Sequence, residues 1–66
     1  MGGTYSVMYY NELDAGFGYD AGPQRYMDGL DRNVANSIAR HMNRVSPEFI
    51  DYYVLADYMA ERAMVV

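Results

Sequence analysis

The sequence predicts an α+β fold, a small single domain in which an N-terminal β-strand or β-hairpin packs on two or three α-helices. Three observations predict it. Thr4–Tyr10 alternates β-branched and aromatic residues on two faces, Leu30, Val34, Ile38 and Met42 recur every four residues, and Ser46-Pro47-Glu48 carries the residue types of a helix start. At 66 residues the chain is one domain with a small core, because a chain of this size buries only about 60% of its unfolded surface. Residues 1–22 read as strand or hairpin and acidic loop, 23–45 as a helical segment, and 46–63 as a C-terminal helix.

Each element has its own reason. In Thr4–Tyr10, Tyr5, Val7 and Tyr9 fall on one face and Ser6, Met8 and Tyr10 on the other. A lone strand leaves its backbone groups unpaired, so it needs Phe17-Gly18-Tyr19, Met64-Val65-Val66 or a second molecule as partner. The hairpin onto Phe17-Gly18-Tyr19, with residues 11–16 as its loop, is the most economical choice. Gly22-Pro23 opens a short helical turn through Gln24–Met27, interrupted at Gly29. The helix from Leu30 carries Ala35 and Ala39 beside its four-residue repeat, and Arg40 and Arg44 suit its negative C-terminal end. After Ser46-Pro47-Glu48 a helix to about Ala63 places Phe49, Tyr53, Ala56, Ala60 and Ala63 on one face. Ile50 and Val54 lie off that face, so this segment is apolar on more than one side.

Composition narrows the function classes. With no cysteine there is neither a disulfide framework nor a thiolate site, as suits a reducing cytoplasm. MGGTYSVMYY lacks the basic and apolar regions of a signal peptide, and no run is long enough to span a bilayer. Eight tyrosines, two phenylalanines and six methionines favour contact surfaces, since tyrosine offers rigid area with a polar tip and methionine repacks readily. The net charge of −4 is confined to residues 1–31, where Glu12, Asp14, Asp20, Asp28 and Asp31 face Arg25 alone. Four acids and four arginines balance in residues 32–66. Such asymmetry points to a basic partner.

Catalytic and metal chemistry find no footing. Residues 11–25 match no EF-hand register, which makes a calcium loop a poor third reading, and His41 is the only histidine. Ser37 and His41 sit one turn apart on a helix with no orienting third group, and Gly16-Phe17-Gly18 is followed by neither the third glycine nor the lysine of a phosphate loop. The chain therefore reads as no enzyme, with no cofactor and no metal. Direct nucleic-acid binding is disfavoured because a lysine-free chain of net charge −4 cannot replace phosphate counterions. The same charge suits a basic groove that itself binds phosphates. Extended i, i+2 carboxylates such as Glu12 and Asp14 would stand about 6 to 7 Å apart, near two phosphate steps, and Asp28 and Asp31 would share a face if helical.

In its length, lack of cysteine, acidic first half and tyrosine-rich runs TYSVMYY (4–10) and FIDYYVLADYM (49–59), the chain resembles the small phage-encoded anti-CRISPR proteins. The members it resembles act on type I CRISPR-Cas surveillance complexes, type I-C among them. The resemblance implies a non-catalytic inhibitor, in the cytoplasm of the host bacterium, that occupies the DNA-binding surface of a Cas subunit, some members by DNA mimicry. No family motif assigns residues, so the candidates come from charge: Glu12, Asp14, Asp20, Asp28 and Asp31, extended by Asp51, Asp57 and Glu61, with Phe17 and Tyr19 as aromatic contacts. A monomer without membrane contact is favoured. The alternative is a small self-associating adaptor or antitoxin-like module in which the strand from Tyr5 to Tyr10 pairs with its copy.

Overall fold

A computed structural model describes residues 3–13 and 22–63. In chain order the elements are β1 (Tyr5–Asn11), β2 (Gln24–Leu30), α1 (Arg32–Val45), β3 (Ile50–Ala56) and α2 (Asp57–Ala63). The strands form one antiparallel sheet in the order β2-β1-β3, so the fold is an α+β single domain with the first strand at its centre. The hairpin partner Phe17-Gly18-Tyr19 and the terminal Met64-Val65-Val66 lie outside the described residues.

The tyrosine-rich strand is central because both its faces are apolar enough to be covered. Ser6, Val7 and Met8, three consecutive residues pointing alternately to opposite faces, are all fully buried. On one face Tyr5, Val7 and Tyr9 stand opposite Ala56, Val54 and Tyr52 of β3. There α1 packs down through Ala35, Ala39 and Ile38 against Val7, Val54 and Leu30, the two alanines letting the helix come close to the sheet. The rings of Tyr9 and Tyr26 each lie 5.6 Å from Tyr52, the second pair edge to face at 85°. On the other face Ser6, Met8 and Tyr10 stand opposite Leu55, Tyr53 and Asp51, and α2 contributes the buried Ala60.

Helix α1 begins where Asp31, in extended conformation, accepts a hydrogen bond from the Asn33 N–H at 3.0 Å, and it closes where the Ser46 N–H reaches the Met42 carbonyl at 2.9 Å. The inner stripe is set by Ala35, Ala39, Ile38 and Met42, while Leu30 belongs to β2 and Val34 remains 48% exposed. The four-residue repeat with its neighbouring alanines thus locates the helix and most of its inner face, and only Leu30 and Val34 depart from it.

Two expectations are corrected. The segment at Gln24–Met27 is not a helical turn: it belongs to β2, which supplies hydrogen bonds to the side of β1 that β3 does not reach. Two irregularities in the β1–β2 register each add one residue on β2, and Gly29, with φ +66, lies in the bulge between Met27 and Leu30. Residues 46–63 are likewise not one helix. Ser46 ends α1, the Ile50 N–H donates to the Pro47 carbonyl at 3.1 Å in a turn, and β3 follows before α2. Ile50, Tyr52 and Val54 suit a pleated strand better than a helix, and pairing with β1 overrides the start signal at Ser46-Pro47-Glu48.

Two substitutions test this packing by urea unfolding. Met8→Ala empties a fully buried site and is expected to cost about 2 to 5 kcal/mol. Gly29→Ala meets no atom within 4 Å, so its expected cost of about 1 to 2 kcal/mol comes from the backbone alone.

Candidate partner-binding surface

The strands place the candidate acids in two groups. Asn11 ends β1, and its side-chain oxygen accepts from the Leu13 N–H at 3.0 Å, turning the chain at Glu12. The Glu12 N–H donates to the Phe49 carbonyl at 2.9 Å, which sets Glu12 at the same end of the sheet as Asp51 and Glu48. Asp28, Asp31 and Asp57 gather at the other end, because β2 runs toward the start of β1 and α2 begins where β3 finishes, and Glu61 lies one turn into α2. Asp51 and Asp57 are six strand residues apart, about 20 Å. Asp14, Asp20, Phe17 and Tyr19 lie outside the described residues.

The expected helical pair Asp28 and Asp31 is corrected: Asp28 is a strand residue, Asp31 is the cap of α1, and the bulge at Gly29 separates them. Glu12, Asp28, Asp31, Asp51 and Glu61 are exposed. Asp28 keeps its carboxylate in solvent while touching Arg25 Nη1 at 3.4 Å, a surface ion pair worth little by itself.

Asp57 differs from all of these. Its carboxylate accepts from Ser6 Oγ at 2.5 Å and from Thr4 Oγ1, its backbone N–H donates to the Thr4 carbonyl at 3.1 Å, and its carbonyl faces Arg25 Nη2 at 3.5 Å. The hydroxyl of Ser6, then that of Thr4, holds the carboxyl below its ordinary range, helped by the Gly29 amide and the positive charge of Arg25. Asp57 therefore ties the start of β1 and the bulge of β2 to the β3–α2 junction, and its oxygens are occupied within the fold. Sequence charge counting grouped it with the surface acids because a strand-to-helix junction at this position was not visible. Burial on the same face pushes the Tyr53 hydroxyl above its ordinary pKa.

The arginines show a second pattern. Helix α1 carries Arg32, Arg40 and Arg44 and no acid, and the remainder of the sequence holds nine acids and two arginines, a formal charge of −7. All three helix arginines are exposed, and none forms an ion pair among the described residues. Three of the five arginines thus lie on the helix that covers one face of the sheet, with Asp31 at its cap, while α2 carries Arg62 beside Asp57 and Glu61. Among the described residues no three histidine, aspartate or glutamate side chains converge on a common point, and no helix is long and apolar enough to cross a membrane.

The strand Tyr5 to Tyr10 is paired on both sides, so it has no free edge for the self-pairing that the adaptor reading requires. Exposed apolar side chains on the α2 side include Tyr58, 67% exposed, and Met59. No protein-family model, curated protein or solved structure matches this chain.

The Asp57 network predicts a definite pH response. Its folded pKa lies below the unfolded value of about 3.9, so its contribution is complete above that value and lost as pH falls through the folded pKa. Urea midpoints should therefore drop more steeply for the native chain than for Asp57→Asn between about pH 5 and pH 2. The variant's deficit, largest near neutrality, should shrink toward acid.

Proposed function

We propose that this protein is a non-catalytic, phage-encoded inhibitor of the anti-CRISPR kind, acting in the host cytoplasm. It binds a basic, DNA-binding surface of a type I effector complex and blocks target DNA by acidic mimicry. The observation that supports this reading is the gathering of three arginines on α1, since in a chain of net −4 it leaves the rest of the sequence at −7.

The same gathering sets the orientation. A basic groove repels the α1 face, so the docking side is that of α2 and the sheet ends, where Asp51, Glu61, Asp28 and Glu12 are exposed. Tyr58 and Met59 on that side offer apolar contact between the charges. Asp57 contributes by holding α2 in place rather than by meeting the partner. Asp14, Asp20, Phe17 and Tyr19 enter the proposal through their sequence positions beside Glu12.

Competition between the protein and target DNA for a purified type I effector tests the reading. The native chain is expected to displace DNA, less effectively as salt rises. The triple change Asp28→Lys, Asp51→Lys and Glu61→Lys should weaken binding by at least about tenfold, whereas Arg40→Glu with Arg44→Glu should not weaken it. Unchanged DNA binding in the presence of the protein, or inhibition that survives the triple reversal, contradicts the proposal.

A further inference from the structure

Among the described residues β3 is an edge strand, and its outer edge can be followed group by group. Hydrogen bonds from Glu12 N–H to Phe49 O and from Asp57 N–H to Thr4 O bracket the pairing with β1 and fix its phase. The backbone groups of Ile50, Tyr52, Val54 and Ala56 consequently point away from β1. The Ile50 N–H is taken by the Pro47 carbonyl. The Tyr52 N–H donates to Asn43 Oδ1 at 2.8 Å, and Asn43 Nδ2 donates back to the Tyr52 carbonyl at 2.9 Å. One carboxamide thus stands where the backbone of a fourth strand would stand, satisfying both groups at once. At Val54, the next outward position, no described residue takes the place that Asn43 takes at Tyr52.

An open strand edge pairs with another strand unless something prevents it. Here the extended partner always present is a second copy, and β3 is complementary to itself. A two-fold axis through Val54, perpendicular to the sheet, sets Val54 against the copy's Val54 and Tyr52 against the copy's Ala56, so that apolar side chains meet apolar ones. The two α1 helices would then lie about two strand spacings apart, about 10 Å, which is an ordinary helix packing distance. The obstacle to this register is Asn43, which already holds both outward groups of Tyr52.

We propose that Asn43 locks the β3 edge and keeps the chain monomeric, and that the surface it guards fits the β3 strand of a second copy. This inference is independent of the proposed inhibitor function, since it rests on the hydrogen bonds and side chains of the β3 edge and not on surface charge.

Sedimentation equilibrium and amide hydrogen exchange on the full chain test it. The native protein is expected to be a monomer from micromolar to millimolar concentration, with a protected Tyr52 amide. Asn43→Ala should form a dimer of doubled mass as concentration rises, and in the dilute monomer its Tyr52 amide should exchange about tenfold faster. On dimerisation the Val54 amide should gain protection. Should circular dichroism show Asn43→Ala to be unfolded, Asn43→Gln, which displaces the carboxamide by one methylene, serves the same purpose. A folded variant that stays monomeric throughout, an unchanged Tyr52 exchange rate, or a dimer in which Val54 gains no protection overturns the proposal.

Discussion

The structure depends on the pairing of β1 along both of its sides. A strand whose consecutive residues Ser6, Val7 and Met8 are all fully buried has no face or edge left for water. Two flanking strands must be supplied, and both run antiparallel to β1, so β2 and β3 are parallel to each other. Parallel strands cannot be joined by a tight turn. The link from β2 to β3 must pass over β1, and α1 is that link. The placement of the helix on one face, and of its arginines with it, follows from the need of one strand for two partners.

Asp57 stabilises the arrangement from the opposite face. Its carboxylate joins Thr4 and Ser6 of the first strand segment to the point where the third strand becomes α2, and the bulge at Gly29 brings a backbone amide to the same acid. Surface charge is what remains after such internal requirements are met. With Asp57 committed to the fold and Asp31 capping α1, the other exposed acids of the described residues lie at the ends of the sheet and on the α2 side. The recognition we propose is one-sided because the crossover helix takes three of the five arginines to the other side.

How far the sequence disclosed this can be argued residue by residue. β1 was legible because Thr4–Tyr10 alternates and is rich in tyrosine and valine, and α1 because its apolar spacing is helical over three turns. β3 was hidden: Ser46-Pro47-Glu48 imitates a helix start, although apolar residues on more than one side were the mark of a strand covered on both faces. β2 was hidden for a different reason, since two extra residues break the alternation of Gln24–Leu30 that would have identified it. The charge count holds as a sum by halves of the chain, yet three of the five arginines share the crossover helix, and only the topology reveals which face that helix covers. The role of Asn43 had no sequence signal, because a side chain that completes a sheet edge leaves no periodic trace.

The central claim, that Ile50–Ala56 is a strand lying along β1, is tested most directly by cross-strand nuclear Overhauser effects. The paired residues that do not exchange hydrogen bonds lie close across an antiparallel ladder, about 4.5 Å between Cα atoms. Strong Hα–Hα contacts between Val7 and Val54 and between Tyr9 and Tyr52 are the predicted result. Consecutive amide–amide contacts through Ile50–Ala56, with Hα contacts three residues onward, would show a helix there and contradict the account.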